Sequence, residues 1–302
     1  MDNPLVSVVV VTFNSADTVI ETLDSITNQT YNNIELIISD DCSKDQTVPL
    51  CKEWIKNNKG RFYNTQLLCV EKNTGISANL NRAIKNANGI WIKSLAGDDL
   101  LESDCISECV RFVNEKRCQI CMVKLHLFGG DDSSNRKCER LLEYNMYRFL
   151  KLEDRKKQYK RALYKHILPG PGIFYTKELW KSINGFDESY PNFEEYSFEL
   201  KVLEKERIYF LDKPLVKWRQ RDGSLSHTSK SPATINDIEF FYKVRRFLLL
   251  KNKCILQFVD SSIYYYILKN VVIEEKSKFF KLLWLLSPLF YIRCIKKIIT
   301  SE

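Results

Sequence analysis

A chain of 302 residues with 44% hydrophobic side chains carries enough apolar material for one large domain, or a domain with an appendage, and is not of a disordered composition. The net charge of +8 is moderate. Its excess gathers at residues 151–165 and 276–297, a pattern that favours a local anionic partner and argues against nucleic acid.

The ten cysteines are scattered through strand-like and helix-like segments, and no secretory leader stands ahead of them, so they are expected to be reduced thiols of a cytoplasmic protein. Cys118 and Cys121 form a CxxC, but no second Cys/His pair lies at finger-like spacing, and a structural zinc site is not expected.

Residues 6–11 form a continuous, β-branched apolar run, as in a central parallel strand covered on both faces. The run ends in Thr12-Phe13-Asn14-Ser15, where Asn14 or Ser15 can cap a helix bearing Val19, Leu23 and Ile26 on one face. A second apolar run, 34–38, leads into Ser39-Asp40-Asp41-Cys42-Ser43. Then follow a helix at 47–57, a strand at 67–70, a loop at 71–77 carrying Gly75, and a helix with Leu80, Ile84 and Ala87. A strand beginning at Ile90 stops at Gly97-Asp98-Asp99. The alternation predicts a doubly wound α/β sheet, whose ligands lie beyond the carboxyl ends of the strands. Thr12, Asp41 and the Asp98-Asp99 pair all fall at such ends.

Adjacent aspartates repel one another unless a cation or hydrogen-bond donors share their site; Gly-Asp-Asp is also ordinary turn sequence. The chain has no GxGxxG after its first strand and no GxxxxGK[ST], so it lacks the glycine cradles that hold phosphates. A metal held by acids is the natural alternative for a diphosphate.

The runs Val6-Ser7-Val8-Val9-Val10-Val11-Thr12-Phe13-Asn14, Ser39-Asp40-Asp41-Cys42-Ser43, Asn73-Thr74-Gly75-Ile76-Ser77 with Asn81, and Leu95-Ala96-Gly97-Asp98-Asp99 resemble, in order and spacing, the inverting family 2 glycosyltransferases of GT-A fold. The resemblance extends over about the first 220 residues. It implies a GT-A nucleotide-diphospho-sugar transferase domain at 1–228, with a C-terminal helical region at 229–302.

By the same resemblance, Thr12 and Asp41 contact the nucleobase, Asp40 supports their loop, Asn14 and Asn81 belong to the donor site, Asp98 meets ribose or metal, and Asp99 holds Mn²⁺ or Mg²⁺ on the diphosphate. The chain departs from the family where Ala96 stands in place of another aspartate.

Residues 129–168 are polar and basic, a lid or a surface excursion. Beyond Pro169-Gly170-Pro171-Gly172 and a strand from Ile173, the motifs Gly185-Phe186-Asp187-Glu188 and Glu194-Glu195 resemble the second half of the family. There the second acid of the pair serves as general base, which puts Glu195 in that role with Glu194 as fallback. Acids at a helix start also simply suit the macrodipole. After a strand at 214–219, Arg221 stands where the family often has a histidine, and would donate to the diphosphate; His227 is a weaker substitute.

The run 279–292 is strongly apolar, flanked by Lys and Arg, and interrupted by Pro288. A span needs roughly 20 apolar residues, so this segment is expected either to lie in a membrane interface or to cap the core. The whole reads as a metal-dependent enzyme that moves a sugar from a nucleotide donor, a UDP-sugar, to a hydroxyl acceptor of a surface polysaccharide or lipid-linked saccharide. Its expected place is the inner face of the cell membrane. The competing reading is a non-catalytic nucleotide-sugar-binding protein that keeps the fold.

Overall fold

The computed structural model describes residues 3–130, 135–136, 139, 147–164, 168–189, 194–220, 242–243, 245–268 and 285–287. The chain divides into two compact units: residues 1–159 with 166–227, and residues 160–165 with 228–302.

The first unit is built on one mixed sheet. Its strands in chain order are β1 (Val6–Thr12), β2 (Ile34–Asp40), β3 (Asn64–Cys69), β4 (Trp91–Ala96), β5 (Leu100–Leu101), β6 (Ile120–Phe128), β7 (Ile173–Thr176) and β8 (Tyr209–Arg219). Their spatial order is β3-β2-β1-β4-β7-β6-β8-β5. β1, β2, β3 and β4 run parallel, β7 is antiparallel to both β4 and β6, and β5 is antiparallel to β8. This is the doubly wound mixed sheet of a GT-A fold.

Every residue of β1 and β2 is buried, because helices cover both faces and only near-continuous apolar sequence suits such a place. Helix α1 (Val19–Thr27) turns Val19, Leu23 and Ile26 inward; α2 (Thr47–Asn58) buries Cys51 and Trp54; α3 (Ile76–Asn86) buries Leu80, Ala83 and Ile84. Helix α4 (Cys105–Lys116) is an element that the sequence reading did not place. Its inner face is Cys105, Ile106, Cys109, Val110 and Val113, with two thiols acting as small apolar groups.

Register places the site. Thr12 lies opposite Asp40, and Val11 opposite Ala96, so three strands end level at one edge. β4 and β5 are separated only by the turn holding Asp98 and Asp99; β4 pairs with β1 and β5 with β8. Because β7 runs against β4, with Phe174 opposite Lys93 in mid-strand, the residues that lead into β7 come from the side of that edge. The strand is followed by α5 (Lys177–Ser182) and α6 (Glu194–Lys205).

Part of the basic stretch expected to be a lid or excursion is anchored to the sheet. Gln158, fully buried, donates to the carbonyls of Leu152 and Ile208 and accepts from the Ile208 N–H.

In the second unit, α7 (Ile255–Leu268) carries Asp260, whose carboxylate accepts from the Ser287 hydroxyl. The Tyr242 and Tyr265 rings lie 5.7 Å apart, and the Arg246 guanidinium sits 4.3 Å from the Tyr265 ring centre. Apart from Leu285, Leu286 and Ser287, the apolar tail segment lies outside the described residues. Among those residues, no helix is long and apolar enough to cross a membrane.

Candidate active site

The first two strand ends are joined by polar side chains. Thr12 Oγ1 donates to Asp40 Oδ1 at 2.8 Å, and Asp40 Oδ2 accepts from the Ser43 N–H at 2.8 Å. Asn14 holds φ = 50°, a left-handed conformation that asparagine tolerates better than most residues. In that pose its N–H donates to Ser43 Oγ, and its Oδ1 accepts from the Lys44 N–H, both at 2.8 Å. Thr12, Asn14 and Asp40 therefore form one network through Ser43.

Asp41 is 3% exposed and heavily engaged. Oδ1 accepts from Thr74 Oγ1 (2.6 Å) and Arg82 Nη2 (3.0 Å), while Oδ2 accepts from the N–H groups of Thr74 (2.9 Å) and Gly75 (2.8 Å). Those four bonds use about the full acceptor capacity of a carboxylate. Asp41 thus fixes the Thr74-Gly75 turn, where Gly75 supplies φ = 86°, and meeting a base would require it to exchange one of these donors.

Asn81 is likewise occupied: its amide donates to the Phe186 carbonyl (2.9 Å) and Glu188 Oε1 (2.8 Å), and it accepts from the Phe186 N–H (3.0 Å). This geometry makes it a clamp on the Gly185–Glu188 turn. Asn81 also lines a cavity of about 490 Å³ with Lys85, Trp180 and Lys201, apart from the strand-end network of Thr12 and Asp40.

At the end of β4, Gly97 approaches β1 so closely that a Cβ would lie 2.9 Å from the Thr12 methyl. Its N–H donates to the Val11 carbonyl, and its own carbonyl accepts from Thr18 Oγ1. That contact sets the two aspartates beside Thr12. Asp98 is half-buried, and Asp99 only 2% exposed. Asp99 Oδ1 accepts the Arg219 N–H at 2.9 Å, and the Arg219 Nε donates to the Asp98 carbonyl at 2.8 Å.

Burial pushes the Asp99 carboxyl up to about 8, and the adjacent Asp98 charge adds to this; the Arg219 N–H and the charges of Lys93 and Arg219 offset only part of it. Two hard carboxylate donors suit Mg²⁺ or Mn²⁺ completed by phosphate oxygens. Among the described residues, no group of three or more His, Cys, Asp or Glu side chains could by itself hold a metal.

The acidic pair opens α6. Glu194 is 7% exposed; Glu195 is half-buried, and its Oε1 accepts the Gly170 N–H. Asp187 is engaged with Ser189. Arg221 and His227 lie outside the described residues. Arg219, two positions before the arginine singled out in the sequence, and Arg82 were not foreseen. Each pairs with an acid distant in sequence, Arg82 with Asp41 and Arg219 with Glu21, so no local pattern marked them.

The profile of glycosyl transferase family 2 matches residues 7–182. An uncharacterized glycosyltransferase of Rickettsia typhi is 28% identical over 232 residues, covering 75% of this chain and 67% of its own length. The Escherichia coli UDP-Glc:alpha-D-GlcNAc-diphosphoundecaprenol beta-1,3-glucosyltransferase WfaP is 34% identical over 115 residues, 37% of this chain and 43% of that protein. The crystal structure of S. aureus TarS residues 1–349 in complex with UDP-GlcNAc superposes with a TM-score of 0.66 at 20% identity, over 94% of this chain and 79% of that one. With the strand-end carboxylates in place on this sheet, the chain belongs to glycosyl transferase family 2 and is a glycosyltransferase of GT-A fold.

Proposed function

We propose that residues 1–228 transfer a sugar from a UDP-sugar to a hydroxyl of a surface-polysaccharide or lipid-linked saccharide acceptor, with inversion at the anomeric carbon. The observation that carries this reading is the meeting of Asp98 and Asp99 with the Thr12–Asp40 network at one edge of the sheet, and it is supported by Glu195, held by Gly170 in the turn before β7. Thr12 and the rim of the Asp41 loop would take the base. Asp98, the more accessible acid, and Asp99 would hold Mn²⁺ or Mg²⁺. When bound, that ion neutralises charge on the diphosphate.

Glu195 accepts the proton of the acceptor hydroxyl as its oxygen bonds to the anomeric carbon, and the bond from that carbon to the diphosphate oxygen breaks, releasing UDP. Arg221, from its place in the sequence, is the proposed donor to the leaving diphosphate. The lipid-linked acceptor is supported by the likeness to WfaP and by the basic, apolar stretch 279–297, proposed to rest on the inner face of the membrane.

Release of UDP from a panel of UDP-sugars, with membrane extract as acceptor source and with or without Mn²⁺, tests the proposal. Metal-dependent release that is lost in Asp98→Asn and Asp99→Asn is expected. Release no faster than without protein, for every donor, would leave a nucleotide-sugar-binding protein.

A further inference from the structure

Strand β4 delivers a positive charge as well as its two acids. Lys93 is 0% exposed and sits mid-strand, opposite Val8 of β1 on one side and Phe174 of β7 on the other. A buried ammonium is costly unless hydrogen bonds replace its water. The replacements are main-chain carbonyls: Lys93 Nζ donates to Pro171 and, at 3.4 Å, to Ile173.

The Pro171 carbonyl belongs to the tight turn that leads into β7, and Ile173 is the first residue of that strand. In the turn, Pro169 and Pro171 have no N–H, whereas Gly170 does, and that N–H donates to Glu195 Oε1. The approach is close on both sides of the turn. A Cβ on Gly170 would lie 2.5 Å from Glu195 Oε1, and one on Gly172 would lie 3.1 Å from the Val123 carbonyl of β6.

From this chain of contacts we infer that Lys93 is a positioning residue for the transfer step: it holds the Pro169–Gly172 turn from within the sheet, so that Gly170 fixes the Glu195 carboxylate at the acceptor side. The inference rests on the reading of Glu195 as the base. The hydrogen bonds of Lys93 Nζ go to the turn and the first residue of β7, and its effect on Glu195 passes through them. Replacing it with an apolar residue of similar length leaves two buried carbonyls without their donor, so the turn relaxes and the carboxylate loses its fixed place.

A double-mutant cycle in the full-length chain tests this, using whichever of UDP-glucose, UDP-galactose, UDP-GlcNAc and UDP-glucuronate gives the fastest UDP release. Lys93→Met is expected to lower kcat about 10- to 100-fold, within what a positioned base supplies, without weakening the KM for donor or the affinity for UDP. In a Glu195→Gln background the same change should cost less than about threefold, because residues acting through one another are not additive.

Gly170→Ala crowds Glu195 without touching the buried lysine, should show the same non-additivity, and decides the matter if Lys93→Met does not fold. An equal fold-loss in both backgrounds, or a loss carried by KM or UDP affinity, overturns the positioning role. Full turnover by Glu195→Gln overturns the base assignment, and the positioning role with it.

Discussion

The main-chain N–H of Arg219 donates to Asp99 Oδ1 at 2.9 Å across 120 residues of sequence, while its side chain donates to the Asp98 carbonyl at 2.8 Å and pairs with Glu21 at 2.5 Å. The last residue of β8 therefore holds the acidic turn by backbone and side chain together. Arg219→Met keeps the N–H and removes the guanidinium. Calorimetry should show UDP affinity in Mn²⁺ reduced about tenfold, and melting a loss of about 1 kcal/mol, since Glu21 is more than half exposed and its pairing is screened. Unchanged UDP affinity would mean that the clamp does not shape the site.

Glu195 and Glu194 differ in surroundings although they are neighbours. Glu194 is nearly buried, whereas Glu195 is half-buried and tied to Gly170. Glu195→Gln is expected to lose about 10²- to 10⁴-fold in kcat while binding UDP and Mn²⁺ as before, and Glu194→Gln to lose much less. The reverse order would move the base to Glu194.

The central strands were legible because residues buried on both faces must be apolar: β1 and β2 read as unbroken runs, and the polar residues that end them mark the site edge. Other features depend on tertiary partners. Helix α4 hides its inner face behind Cys105 and Cys109, which do not read as core. β8 begins at Tyr209, ahead of the expected 214, because Pro214 is accommodated where the register with β6 shifts. The intramolecular partners of Asp41 and Asn81 were hidden for the same reason. Both residue types suit a donor contact, but Arg82, Thr74, Gly75 and the Phe186 turn reach them first. Lys93, read only as part of an apolar run, is explained by carbonyls 78 and 80 residues away.

At the opposite end of the sheet, Glu35 is fully buried and accepts from Ser7 Oγ (2.6 Å), the Asn88 N–H (2.7 Å) and the Asn88 amide (2.7 Å). Burial alone would push its carboxyl up, but these hydrogen bonds outweigh it and hold the group below its ordinary value of 4.5. A lowered folded pKa means that the unfolded chain takes up the proton first as pH falls, so the stabilisation is present above about pH 4.5 and lost below it. Glu35→Gln should cost about 1–3 kcal/mol at pH 7 in denaturant melts, with the difference from wild type shrinking below pH 4.5. A pH-independent difference would assign the cost to packing.

Truncation after Ser277 addresses the tail. If residues 279–297 rest on a membrane, burial of Phe, Trp and Leu at about 25 cal/mol per Å², with about 1 kcal/mol for each lysine near anionic headgroups, makes the full chain float with anionic liposomes. The truncated chain should stay folded and in the soluble fraction, with a loss of about 1 kcal/mol from the missing Ser287–Asp260 bond. A truncated chain that no longer folds would make the segment a cap on the core.

The claim that a nucleotide diphosphate and a divalent ion meet at the carboxyl edge of β1 and β4 is tested most directly by a crystal of the full chain soaked with UDP and Mn²⁺. The predicted result is an anomalous Mn²⁺ peak bound by Asp98, Asp99 and diphosphate oxygens, with the uracil beside Thr12. UDP bound elsewhere, or Mn²⁺ bound without these two carboxylates, would contradict the account.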